Sequence, residues 1–121
     1  MRFRLSILIL ALFLVGCGDS TAIKLVKSGK FTNCGKTVEQ AISGFFGSPK
    51  WESGIGKDGP TKGLTLVNLR GKVKLLGKET DSVLQFIVDE KKGTFEVNAL
   101  EMNGTPQPPL IIVGLVTKMC Q

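Results

Sequence analysis

The chain contains three hydrophobic patterns, and each predicts a different element. The first is a nearly unbroken apolar run from Leu5 to Leu14, interrupted only by Ser6 and preceded by Arg2 and Arg4. The second has the 3.6-residue period of an amphipathic helix, and the third has the two-residue period of a half-buried strand. Their order predicts an N-terminal hydrophobic segment, then a helix, then a sheet.

A short amphipathic helix is predicted from Val38 to Phe46. Thr37 can serve as its N-cap and Gln40 follows three residues later, which is the arrangement of a capping box. Gly47 stands where a helix C-cap residue belongs, and a proline two residues later prevents continuation. The apolar positions at helical spacing are Val38, Ala41, Ile42, Phe45 and Phe46. A helix this short must bury its apolar face against another element.

Residues 67–99 predict an antiparallel meander with one apolar face. Apolar and polar positions alternate in each strand, and a turn over residues 89–93 joins the last two strands. The apolar face comprises Val67, Leu69, Gly71, Val73 and Leu75, then Leu84, Phe86 and Val88, then Phe95, Val97 and Ala99. The 38–46 helix is the natural cover for this face, so we expect an α+β fold with a helix packed on a three- to four-stranded antiparallel sheet.

Two segments around the sheet are less regular. Residues 52–63 contain four glycines and one proline, and they predict a long loop with Trp51 at its rim. Packing over the core is the favoured role for Trp51, and recognition of a ligand is the alternative. The apolar stretch within residues 110–119 fits a buried strand by its β-branched residues. It also fits a helix begun by Pro109, and the helix is favoured.

Leu14, Val15, Gly16 and Cys17 end the N-terminal apolar run with a small residue followed by cysteine. This tetrapeptide resembles the lipobox of bacterial lipoproteins, and the resemblance implies cleavage before Cys17 and acylation of its sulfur. The basic start and the short apolar run are typical of a signal segment, since a spanning helix needs about 20 apolar residues. We therefore expect residues 1–16 to be a signal peptide, 17–32 a lipidated tether, and 33–121 a single folded domain.

The lipoprotein resemblance also implies a location. An aspartate directly after the lipidated cysteine favours retention in the inner membrane of diderm bacteria, and here that position is Gly18. We expect a lipid-anchored protein of the outer membrane that faces the periplasm. Cys34 and Cys120 should then pair in the oxidising envelope, which would stabilise the fold by roughly 4 to 5 kcal/mol in the chain-entropy model. Removal of Arg2 and Arg4 leaves 14 basic and 10 acidic residues, which lowers the formal charge from +6 to +4.

The residues offer little catalytic chemistry. The chain has no histidine and no tyrosine, and no sequence motif for a metal or a phosphate. We therefore expect neither an enzyme nor a cofactor. Arg70, Lys72 and Lys74 share the polar face of one predicted strand and form a candidate site for an acidic partner or lipid headgroups, although an ordinary solvated face is favoured. Aromatic residues are absent from that row, so we do not expect nucleic-acid binding.

A second resemblance concerns residues 36–40, the Phe46-Gly47-Ser48-Pro49 segment and Trp51. Together they are similar to small outer-membrane lipoproteins of the barrel-assembly machinery and to β-lactamase-inhibitor-protein-like domains, which implies a helix packed on an antiparallel sheet. The preferred function is a non-catalytic, membrane-anchored structural or interaction module that docks on an envelope protein through its sheet face or an edge strand. The alternative is a ligand-binding or inhibitor module that uses the 52–63 loop and Trp51.

Overall fold

The computed structural model describes residues 20–75 and 77–121. The predicted signal peptide and Cys17 lie outside the described residues. The elements in chain order are helix α1 (Thr21–Ser28), helix α2 (Val38–Ser43), strands β1 (Phe46–Ile55), β2 (Thr65–Leu75), β3 (Lys78–Asp89), β4 (Thr94–Met102) and β5 (Thr105–Pro106), and helix α3 (Pro109–Met119). A single 3₁₀ turn, Gly59–Thr61, interrupts the loop between β1 and β2. The fold is α+β, as the sequence predicts.

The five strands form one antiparallel sheet in the order β1-β2-β3-β4-β5. The predicted count of three to four strands was too low, because β1 and the short β5 extend the meander on both sides. Ile55, Thr65, Val88 and Phe95 are successive cross-strand partners. We call this end of the sheet, together with the connecting residues 56–64, the loop end. The β2–β3 hairpin, where Leu75 pairs with Lys78, lies at the opposite end.

Helices α1 and α2 cover one face of the sheet, which we call the helical face. Phe86 is fully buried near its centre, and its ring contacts the rings of Phe31, Trp51 and Phe95 with centroids 5.8 to 6.4 Å apart. The largest fully buried apolar side chains of this core are Ile23, Val26, Val38, Ile42, Val67, Leu69, Val73, Leu84, Phe86 and Leu100. The predicted alternation of β2 and β3 therefore does place one face against the helices.

Helix α1 replaces most of the expected tether. The segment 17–32 was expected to be a polar spacer, but from Thr21 onward it is helical, and the side chains of Ile23 and Val26 are completely buried. Ser20 caps this helix by accepting a hydrogen bond from the Ile23 N–H at 3.2 Å. The folded domain therefore begins by residue 20 rather than at residue 33.

Helix α2 has the predicted start and an earlier end. Thr37 and Gln40 form the capping box, with the two reciprocal hydrogen bonds at 2.9 and 3.1 Å. The C-cap is Gly44 rather than Gly47, and Phe46 already belongs to β1. The prediction failed here because a phenylalanine pair at helical spacing also fits the start of a strand. Since β1 runs to Ile55, the loop spans 56–64 and is shorter than the predicted 52–63 segment.

The C-terminal segment is a helix, α3, and it ends at a disulfide. Cys120 follows the helix as its C-cap and is bonded to Cys34, with the two Cα atoms 5.4 Å apart, which confirms the predicted pairing. The Lys36 ammonium donates to the Gln121 carbonyl at 2.8 Å and adds a second link at this point. Among the described residues, the longest helices fall well short of a bilayer-spanning apolar length.

Candidate functional site

Helix α3 carries three of the five large apolar side chains that are exposed among the described residues. Leu110, Ile111 and Val113 are 79, 42 and 61% exposed, whereas only Leu115 and Met119 of the helix are buried. A helix that is apolar around most of its circumference is normally enclosed by other protein or by lipid. Single exposed apolar residues are ordinary on a protein surface, but three within four positions of one helix are unusual. We call Leu110, Ile111 and Val113 the α3 patch.

A groove of about 820 Å³ runs beside the α3 patch. One wall is the flank of α3, with Ile112, Val113 and Val116, and the facing wall is formed by Phe31 and Val97. The polar groups at its margin come from Thr32, Asn33, Asn98, Thr117 and Gln121. An apolar floor with a few polar groups at the rim is the usual composition of a binding groove. We call this feature the α3–β4 groove.

The outer edge of β4 borders the α3–β4 groove. Strand β5 pairs only with Glu101 and Met102, and the Gln107 N–H donates to the Leu100 carbonyl at 2.8 Å. Among the described residues, no strand pairs with the outer side of Thr94–Val97. Val97 thus belongs both to an open sheet edge and to the apolar groove beside it.

The local sequence explains why β5 leaves this edge open. Asn103 and Gly104 have φ values of 51° and 78°, and they form the tight turn that brings β5 back against β4. Prolines follow at positions 106, 108 and 109, and they have no N–H to donate to a neighbouring strand. Pro109 is, however, favourable in the first turn of a helix, so the chain leaves the sheet and begins α3.

The disulfide holds the two walls of the groove together. Cys120 ends α3, and Cys34 follows the segment that contains Phe31 and Asn33. Within that segment the Cys34 N–H donates to the Phe31 carbonyl at 3.2 Å, and Asn33 has a φ of 59°. The covalent link thus adds to the packing of Leu115 and Met119, the two buried side chains that hold α3 against the core.

Two of the three cations in the predicted row on β2 form ion pairs with carboxylates. The Arg70 guanidinium binds the Glu52 carboxylate at 2.9 Å, and the Lys72 ammonium binds Asp81 at 2.8 Å. The hydrogen bond from Lys72 to Asp81, together with the charge of that carboxylate, raises the pKa of Lys72 above its ordinary value of 10.5. Lys74 is exposed and lies opposite Glu79 in the β2–β3 register.

Trp51 is half-buried on the helical face and lies apart from the loop. Its ring stacks on Phe86 with centroids 6.4 Å apart, and the Lys27 ammonium lies 5.5 Å above the indole. Because β1 continues to Ile55, the Trp51 side chain belongs to a strand and not to the rim of the loop. The geometry fits the packing role better than the recognition role.

A row of buried polar residues on the opposite sheet face was missed by the sequence reasoning. Asn68, Gln85 and Glu101 are at most 2% exposed, although Asn68 lies on the same face of β2 as the predicted solvent-facing cations. The Asn98 amide donates to the Gln85 side-chain oxygen at 2.8 Å, whereas neither polar side-chain atom of Asn68 has a hydrogen-bond partner within residues 20–75 and 77–121. Strict alternation of polar and apolar residues gives no warning that a polar position is buried.

Within residues 20–75 and 77–121, no cluster of three or more His, Cys, Asp or Glu side chains could hold a metal ion. Comparison of the chain with protein-family models, with characterised proteins and with solved structures gave no match.

Proposed function

We propose that this protein is a non-catalytic, lipid-anchored protein of the bacterial envelope that binds an extended segment of a partner protein in the α3–β4 groove. The lipobox resemblance at Leu14 to Cys17 supports the anchor and an outer-membrane location facing the periplasm. The observation that carries the binding role is the open edge of β4 at Thr94–Val97, which adjoins an apolar groove.

An open strand next to an apolar groove suits an extended polypeptide. The outer backbone groups of Thr94–Val97, which no strand of the described residues pairs, can add one strand to the sheet, and alternate side chains of that strand would point toward Val97 and Ile112. Backbone hydrogen bonds supply affinity in this mode, and the apolar contacts supply sequence preference. The amide groups of Asn33 and Asn98 at the margin can bind polar groups of the same peptide.

The other edge of the sheet is less suited to a partner strand. The β1–β2 register shifts between Gly47 and Lys50, and Ser48 has a φ of 52°. A bulge, a proline and an exposed lysine are features by which natural edge strands avoid pairing, and β1 contains all of them. The β4 edge has a register shift only after Val97, at the pairing of Gln85 and Phe86, so Thr94–Val97 remains regular.

The alternative of a ligand or inhibitor module built on the loop and Trp51 has less support. The indole is already stacked on Phe86 and covered by the Lys27 ammonium, so it has limited surface left for recognition. A loop-based site would also lack the aromatic contact on which that hypothesis depends.

Affinity capture from native membranes tests the proposed function. Full-length tagged protein is expressed in its host, and the recovery of bound envelope proteins is compared among the parent, Val113→Glu and Lys50→Glu. A carboxylate at Val113 would lie in the apolar wall, so we expect at least a fivefold loss of the captured partner. Lys50→Glu is the matched control on the other edge and should leave recovery unchanged. Equal recovery for Val113→Glu and the parent would contradict the proposal.

A further inference from the structure

The loop end of the sheet carries a second exposed apolar pair, Ile55 and Leu64. Their side chains are 47 and 39% exposed; Ile55 pairs with Thr65 at the end of the β1–β2 ladder, and Leu64 directly precedes Thr65 in the chain. The Gly56 N–H donates to the Leu64 carbonyl at 2.9 Å, which closes the base of the loop next to both residues. Lys57 and Lys62 are exposed in the same loop.

The loop itself is tightly folded. The Leu64 N–H donates to the Thr61 carbonyl at 3.0 Å, and the Gly63 N–H donates to the Gly56 carbonyl, also at 3.0 Å. A Cβ on Gly56 would collide with the Thr61 carbonyl, so only glycine allows this close approach. Ile55 and Leu64 are therefore presented by an ordered surface.

The start of the folded chain lies at the same end of the sheet. The Ser20 and Ser53 hydroxyls are 2.8 Å apart, and Ile55 is the next residue of β1 on the same face as Ser53. Two residues of a strand cover about 7 Å. Ser20 thus lies beside Ser53, about 7 Å along β1 from Ile55.

The chain that joins this point to the lipidation site is very short. Only Gly18 and Asp19 separate Cys17 from Ser20, and three residues of fully extended chain span at most about 11 Å. A diacylated Cys17 lies at the surface of the bilayer. The loop end is the part of the domain that such a tether holds close to the headgroups.

We propose that the loop end is the membrane-facing surface of the domain, with Ile55 and Leu64 in the interfacial region of the bilayer and Lys57 and Lys62 at anionic headgroups. This inference rests on the lipid anchor of the proposed function. Apolar residues flanked by cations are the usual composition of a surface that lies in the membrane interface. The 52–63 segment, which the alternative hypothesis gives to a ligand, would then contact lipid. The α3–β4 groove would remain free to bind a partner protein.

The arrangement of the cysteines provides a clean test. With Cys17 acylated and Cys34 bonded to Cys120, a newly introduced cysteine is the only free thiol of the full-length processed protein. Ile55→Cys, Leu64→Cys and Glu79→Cys each receive an environment-sensitive nitrobenzoxadiazole label. Glu79 is exposed in the β2–β3 hairpin, at the opposite end of the sheet, and serves as the control.

The labelled proteins are reconstituted in vesicles of phosphatidylethanolamine and phosphatidylglycerol that contain a lipid-borne nitroxide quencher. We expect quenching at positions 55 and 64 to exceed that at position 79 at least threefold. Charge reversal of Lys57 and Lys62 should lower the quenching at position 64 by half or more. Unchanged quenching after charge reversal would overturn the headgroup assignment of the two lysines.

Failure of the anchor and failure of this inference give different results. Labelling of Cys17 in the parent protein, located by peptide mass spectrometry, or loss of vesicle flotation would show that Cys17 is not acylated and would contradict the anchor. Normal flotation with equal quenching at all three positions would overturn the membrane-facing assignment and leave the anchor intact.

Discussion

The Ser20 and Ser53 hydroxyls form a hydrogen bond of 2.8 Å that ties the start of α1 to β1. The same Ser20 oxygen accepts the N-cap hydrogen bond from the Ile23 N–H. One side chain therefore both begins the first helix and attaches it to the sheet. Because Ser53 is buried, this contact belongs to the folded domain and places its start within three residues of Cys17.

Replacement of Ser20 by alanine should weaken this attachment. We expect Ser20→Ala to lower the free energy of unfolding by about 1 to 2 kcal/mol, because the helix loses its cap and the Ser53 hydroxyl loses its partner. Urea unfolding monitored by the fluorescence of Trp51 measures the change. Ser28→Ala is the control, because its hydroxyl is exposed and bonds only within α1; equal losses for the two variants would contradict the role of Ser20.

Removal of the disulfide should destabilise the fold and loosen the groove. The paired variant Cys34→Ser with Cys120→Ser is expected to lose about 3 to 5 kcal/mol of stability, since the bridge closes a loop of 86 positions. Capture of the partner should fall together with stability, because the link joins the end of α3 to the facing wall of the groove. Denaturant unfolding measures the first effect. Thiol labelling of the unfolded, unreduced parent should find neither cysteine free, and labelling at Cys34 or Cys120 would refute the pairing.

Trp51 should contribute to stability and not to recognition. We expect Trp51→Ala to cost about 2 kcal/mol, below the usual cost for a fully buried tryptophan, because the side chain is half-buried. Trp51→Phe keeps much of the contact with Phe86 and should cost less. Thermal unfolding followed by circular dichroism compares the variants. Loss of partner capture by the stably folded Trp51→Phe protein would instead support the ligand-module hypothesis.

Asn68 should be a destabilising residue in the free protein. Its amide is fully buried with both polar atoms unpaired, so Asn68→Val should raise the free energy of unfolding by about 1 kcal/mol. Valine also suits a central strand better than asparagine does. Chemical denaturation of the two proteins gives the comparison. A lower stability for Asn68→Val would contradict this prediction and show that the Asn68 amide stabilises the fold.

The sequence predicts the elements whose signals are local. The capping box of Thr37 and Gln40 and the alternation around Val67 and Leu69 each depend on residues close in the chain, and both are present in the fold. The pairing of Cys34 and Cys120 was also predictable, because only two cysteines remain after Cys17 is assigned to lipid.

Elements that depend on tertiary contacts were less predictable. Helix α1 had a signal that could have been used, since Ser20 precedes apolar residues at positions 22, 23 and 26, but its lysines resemble those of a spacer. The Phe46 strand and the buried Asn68 have no such local signal. The open β4 edge arises from the short β5 and its prolines, and the sequence shows this only once the strand order is known.

Site-specific photo-crosslinking in native membranes tests the binding role of the α3–β4 groove most directly. A photoreactive residue is placed at Val97, at Val113, or at Val83 on the opposite sheet face. We expect positions 97 and 113 to crosslink to the same segment of one envelope protein, as mapped by mass spectrometry, and position 83 not to crosslink to it. Crosslinks to that protein only from position 83, or none from 97 and 113, would contradict it.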